Sequence, residues 1–391
     1  MAFTKRTLVK NRPKLPSQRK TENHTATKEM TLMENLSMTR ERQLLRCLVV
    51  TLLILPLLTA ASLLAQERPV ELTVTPGDVA TATAFASNMR YHLYPAKTPA
   101  GKAVSLDSAG ITFPGRKHPL SGPISTLPSF PPGTGFYPDQ LFKVSATGAT
   151  IVTTKSHPLY INMASCGGTV AACWGNPALF LSDLGASSMI HLLDTQYVPS
   201  TANNRYIVGT SFTANPTIYP GTTGVPTLGE NDILGLVHAA AKMGGTGYGH
   251  IYHVFLPKGV DHCFDEGPCY SPDFGPTFAF CAYHFTVKFA DIGNVYYTVE
   301  PFQNVPGCQV PLGTPNGQLI DSTNSVLSHE TFESITDPDI NTGFRSLNNP
   351  FGAFEIGDEC DFIVIGVTLN TRPYAVQGEY SNKYEACVTT P

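Results

Sequence analysis

Ser325-Val-Leu-Ser-His-Glu-Thr-Phe-Glu-Ser-Ile-Thr-Asp-Pro338 is the stretch on which the reading of this 391-residue chain turns. In a helix, positions four apart share a face. His329 and Glu333 then point the same way, one imidazole and one carboxylate, both acceptable zinc ligands. Glu330 falls where peptidases with a His-Glu-x-x-His helix keep their general base. The second histidine of that pattern is here a glutamate. With 11 His and 15 Glu in the chain, chance supplies such a string roughly 0.02 times. The plainer reading is a His–Glu pair on a solvated helix face, worth ~0.3–0.5 kcal/mol.

A metal needs a third protein ligand. Downstream, Glu355-Ile-Gly-Asp-Glu-Cys-Asp361 offers Asp358 or Glu355, and Gly357 lets backbone approach closely. His329, Glu333 and Asp358 would hold one divalent cation, with a fourth position for water and Glu330 as the base. Zinc is the expected cation, although a carboxylate-rich set also suits calcium or manganese. Asp337 is a rival ligand; its alternative role is to close the turn before Pro338. His250 and His253 lie three apart in a strand, which puts them on opposite faces. His262 and His284 read as hydrogen-bonded structural residues, or as groups behind the ligands or on the substrate side. A Gly-x-Ser-x-Gly serine and a phosphate-binding glycine loop are both absent from the sequence.

Around this motif the order is helix (Leu184 to Tyr197, capped by Ser182 or Asp183), strand (Arg205 to Thr210), helix (Ile233 to Met243) and strand (Ile251 to Leu256). A hairpin (Ala282 to Phe289 with Asn294 to Val299) follows, then the motif helix, capped by Ser322, Thr323 or Asn324 and stopped at Pro338, and a late strand (Phe362 to Val367). That predicts an α+β fold: a zincin-like helix/sheet/helix sandwich with a mixed sheet over residues 151–391. Residues 66–150, rich in Pro and Gly, predict an irregular arm of short strands and loops.

Residues 1–65 hold 11 Lys+Arg against 4 Asp+Glu, leaving 15 against 26 for the rest. An acidic body does not suit nucleic acid. Arg40, Arg42 and Arg46 precede an apolar run, Leu48 to Leu64, followed by small residues: a secretory signal. The lead is long for a signal, so Met33 or Met38 is an alternative start. An uncleaved anchor is the other reading of the run, and Pro56 and its length oppose it. The expected location is extracellular, with periplasmic or membrane-anchored forms as alternatives, and the expected partner is a polypeptide or a cell-wall or surface ligand. Eight cysteines follow Cys47 and its apolar run. Their even number predicts up to four disulfides. Pairing nearest neighbours gives 166–173, 263–269, 281–308 and 360–387, one of about 105 pairings open to eight cysteines.

The 325–361 block resembles the EXORDIUM / phosphate-induced cell-wall family and its secreted bacterial relatives, which carry a similar His-Glu-x-x-Glu run and then an acidic run ending in Cys. Leu181 to Ser188 and Gly259 to Phe264 are similar to that family as well. The resemblance spans roughly residues 155–391. It implies an exported, disulfide-bonded protein, linked in plants to growth signalling, with no accepted catalytic residues. It also implies a second outcome for the motif: a structural metal site, or the remnant of a peptidase ancestor.

Overall fold

The computed structural model describes residues 69–73, 92–96, 140–221, 224–264, 267–346 and 354–391. The chain divides into Met1–Gln66 and Glu67–Pro391. The first unit, with the expected signal, lies outside the described residues. Among the described residues no helix is long and apolar enough to cross a membrane.

In chain order the strands are β1 (Val70–Leu72), β2 (His92–Pro95), β3 (Leu141–Lys143), β4 (Thr154–Ile161), β5 (Tyr206–Val208), β6 (Phe212–Ala214), β7 (Thr227–Gly229), β8 (His250–Phe255), β9 (Asp261–Cys263), β10 (Cys269–Tyr270), β11 (Phe280–Phe289), β12 (Gly293–Glu300), β13 (Phe344–Ser346), β14 (Val364–Leu369), β15 (Arg372–Gln377), β16 (Glu379–Ser381) and β17 (Ala386–Val388). Eight of them form one mixed sheet in the order β1-β6-β4-β8-β12-β11-β2, with β5 also on β4. The run from β1 to β12 is parallel. β11 is antiparallel to β12, and β2 antiparallel to β11. The fold is therefore α+β with a mixed sheet.

β8 and β12 are central strands buried on both faces, although His253, Thr298 and Glu300 interrupt their apolar runs. Tyr252, Val254, Val295 and Tyr297 share one core with Ile233, Leu234 and Val237 of the Glu230–Gly244 helix. Ile251, Phe255 and Tyr296 share the other core with Phe180 and Leu184 of the Pro177–Gly185 helix and with Leu327 and Phe332 of the motif helix, Gln318–Thr336. The pairing His284↔Thr298↔His253 aligns these three side chains with Tyr296, on the motif-helix face.

Several elements differ from the sequence reading. The helix expected at Leu184 to Tyr197 is two elements, an α-helix that lies earlier, at Pro177–Gly185, and a 3₁₀ helix at Met189–Leu193. Asn176 accepts the Leu179 N–H (3.1 Å) and Pro177 opens the first turn, a stronger start signal than Ser182 or Asp183. Asp183 instead binds Arg372, Asn370 and Tyr374 from inside the helix. The motif helix starts more than a turn before its expected caps, at Gln318 after Gly317. Residues 66–150 supply β1 and β2 to the main sheet, and β3 pairs with β13. The four disulfides join 166–173, 263–269, 281–308 and 360–387, the nearest-neighbour pairing.

Candidate metal centre

Every residue of the motif helix from Asp321 to Thr336 is buried. A helix this polar needs partners for its side chains. Some bond back to their own helix: Ser322 to the Gln318 carbonyl, Thr331 to that of Leu327 (2.6 Å) and Thr336 to that of Phe332 (3.0 Å). His329, Glu330 and Glu333 have no such outlet. They meet β11, β12, the 355–361 turn and β15–β16.

Four expected residues come together here. His329 Nε2 lies 3.1 Å from Glu333 Oε2 and 3.9 Å from Asp358 Oδ1. Glu333 Oε1 accepts the Asp358 N–H (3.0 Å), so the helix carboxylate grips the loop that carries the next candidate ligand. Glu330 lies beside them: one ligand atom each from His329, Glu330 and Glu333 falls within 4.8 Å of the others, as happens also for His329, Asp358 and Asp361. Gly357 permits the approach, since a Cβ there would stand 2.3 Å from His329 Nδ1.

His284 of β11 joins the same cluster. Its Nε2 is 2.7 Å from Glu355 Oε2 and 3.6 Å from Glu333 Oε2. Glu333 Oε2 thus has an imidazole nitrogen near it on two sides. Period-two alternation in the predicted strand places His284 on the face it shares with Thr286; that strand had first to be laid beside the motif helix. Asp337 takes the turn-closing role after the helix, accepting the N–H groups of Asn341 (2.8 Å), Thr342 (3.0 Å) and Gly343 (2.6 Å). His250 and His253 do lie on opposite faces: His250 pairs with His157 (3.0 Å), and His253 bonds Thr298 (3.0 Å). His262 is structural, bonded to the Leu228 carbonyl (2.9 Å) and the Tyr283 hydroxyl (2.9 Å).

The electrostatics are unusual. His284, Glu300, His329, Glu330, Glu333, Glu355 and Glu379 are each at most 1 % exposed. Burial pushes the carboxyls of Glu330, Glu333, Glu355 and Glu379 well above the ordinary range, and their neighbouring carboxylates push further. Burial lifts Glu300 to about 8. Burial also lowers His329, against the pull of Asp358 and Asp361. Both Glu330 oxygens and His329 Nε2 are buried without a hydrogen-bond partner.

This donor set fits a divalent cation. A tetrahedral ion with bonds of about 2.0–2.1 Å spaces its ligand atoms about 3.3 Å apart; His329 Nε2 and Glu333 Oε2, 3.1 Å apart, stand close to that value, and Asp358 Oδ1, 3.9 Å from the imidazole, stands wider. A cation would also answer the bare imidazole nitrogen and the excess of carboxylates. No family model matches the chain, and no curated protein or solved structure matches it.

Proposed function

We propose that this chain is a metal-dependent hydrolase, with polypeptide as its substrate, whose divalent cation is held by His329, Glu333 and Asp358. The observation that carries this is Glu330, buried against the His329–Glu333 pair with both oxygens unpartnered. A carboxylate that bonds nothing yet adjoins two ligand-type side chains is free to take a proton. A bound cation, zinc by the His/carboxylate donor set, would supply Lewis acidity and a more acidic water. Glu330 would accept that water's proton and return it to the leaving amine. Its raised proton affinity suits the holding step. Glu355 and His284 would keep Glu333 in place from the sheet side. A zincin-like arrangement accords with the motif helix following β12 and lying across the sheet face that carries His284. Four disulfides accord with an exported protein, as does the resemblance to the EXORDIUM family.

A second reading is a non-catalytic surface protein with a structural cation, favoured by the near-complete burial of the ligand side chains. Elemental analysis of purified protein and cleavage of denatured casein separate the two. Hydrolysis that Glu330→Gln lowers by about 10²–10⁴, with the metal retained, supports the first. Metal-dependent melting without turnover supports the second, and protein that takes up no metal rejects both.

A further inference from the structure

The outer edge of β11 is occupied by the chain's own β2. The two run antiparallel, with His92 opposite His284, Leu93 opposite Tyr283 and Tyr94 opposite Ala282. The Ala96 N–H extends the pairing to the Ala279 carbonyl (3.1 Å). In this register Tyr94 falls on the motif-helix face. Its ring stands edge-on to the His329 imidazole, with centroids 4.6 Å apart, and edge-on to Phe362 at 5.4 Å. The residue is 3 % exposed. One side chain thus roofs the imidazole that the motif contributes.

The strand that delivers this roof is short and imperfectly paired. It has four residues, its register shifts between Phe280 and Ala282, and Pro95 has no N–H to give. Short edge strands of this kind open at low cost. Once open, β11 offers a row of backbone donors and acceptors, which an extended polypeptide matches whatever its sequence.

We infer that His92–Ala96 is an intramolecular plug: it fills an edge that otherwise takes an extended polypeptide strand, and Tyr94 shields His329 from solvent and ligand. The identity of the displaced partner rests on the hydrolase reading; the shielding does not.

Diethyl pyrocarbonate, which acylates accessible imidazoles, tests it on full-length protein treated with EDTA, with mass spectrometry reading each histidine. His253 and His262, both 0 % exposed, report on the integrity of the fold. Tyr94→Ala is expected to raise labelling of His329 about tenfold or more through local opening, with His253 and His262 unchanged. Tyr94→Phe, which keeps the ring, is expected to leave His329 protected. An unchanged His329 in Tyr94→Ala overturns the inference. So does labelling of all three histidines in that variant, which would make β2 part of the folding core. Casein cleavage by zinc-loaded protein is the second readout. Higher cleavage in Tyr94→Ala supports the polypeptide partner. His329 exposed without cleavage in either protein rejects the hydrolase reading and the polypeptide partner, and leaves the shield standing.

Discussion

Gln377 sets the state of His329. Its amide nitrogen donates to the Gly357 carbonyl (2.8 Å) and faces His329 Nδ1 at 2.7 Å, while its oxygen accepts the Phe362 N–H (3.3 Å). In that arrangement the ring proton of a neutral imidazole sits on Nε2. A cation at Nε2 needs the proton on Nδ1 and an acceptor facing it. Gln377→Glu supplies the acceptor and should tighten metal binding by about 10–100-fold, and by more than Gln377→Leu, which only removes the opposing donor; competition against a chromophoric chelator measures both. Gly357 has an ordinary φ of −81°, so only space demands glycine there. Gly357→Ala should cost about 1–3 kcal/mol by overpacking against the ring, read as a lower urea midpoint, and should weaken metal uptake as well. At this scale the sequence was informative where helical spacing rules. His329, Glu330 and Glu333 follow from a four-residue period, and Asp358 with its glycine from an acidic run. Gln377, Glu379 and Tyr94 carry no pattern of their own, because they reach the site only through tertiary strand placement, Gln377 from 48 residues away and Tyr94 through its pairing with Ala282.

The motif helix owes its early start to Asp321. That carboxylate accepts the Asn316 N–H (2.9 Å), the Asn316 and Asn324 side-chain amides (2.9 and 3.1 Å) and the Ala375 N–H (3.3 Å). A Ser-Thr-Asn run reads as a cap when read locally; here tertiary partners hold it inside the helix instead. Asp321→Ala should destabilise by about 2–3 kcal/mol, since it strands buried donors, and denaturant unfolding measures it. On β12, Glu300 accepts the Thr298 hydroxyl (2.8 Å), and Thr298 accepts from His253 Nδ1 (3.0 Å). With the folded pKa raised from 4.5 to about 8, the folded state binds the Glu300 proton more tightly than the unfolded chain. Its contribution is intact below about 4.5, falls as pH climbs towards about 8 and then levels off. Metal-free protein should therefore lose urea midpoint over that interval, and Glu300→Gln should flatten the decline. The Glu230–Gly244 helix was legible at this scale, and so was the β11–β12 hairpin. The hairpin of β14 and β15 was half seen: the Phe362 to Val367 strand was expected, its partner was not, because Asn370-Thr371 turns the chain at positive φ without a glycine.

For the molecule as a whole, the Cys360–Cys387 bridge ties the acidic turn to the last strand, β17, across a separation of 27 residues. Loop-closure entropy values such a link at about 3.5 kcal/mol. The paired Cys360→Ser and Cys387→Ser variant should melt lower by that order and, once loaded with zinc, give the metal up to EDTA faster; calorimetry and chelation kinetics check the two effects. The four disulfides were legible from the even cysteine number, and the mixed α+β class from the alternation of helix and strand signals. The place of β1 and β2 was not, because three- and four-residue strands between Pro- and Gly-rich stretches leave no periodicity to read.

β1 and β2 form the two outermost positions of the large sheet, one on each flank. Val70 pairs with Phe212, and Tyr94 with Ala282. Of the described strands these two are synthesised first, and each waits for its neighbour, β6 or β11, to follow. Trimming the chain ahead of residue 97 would leave both flanks open to other copies, so such a truncated protein should self-associate through its sheet borders while its interior stays intact.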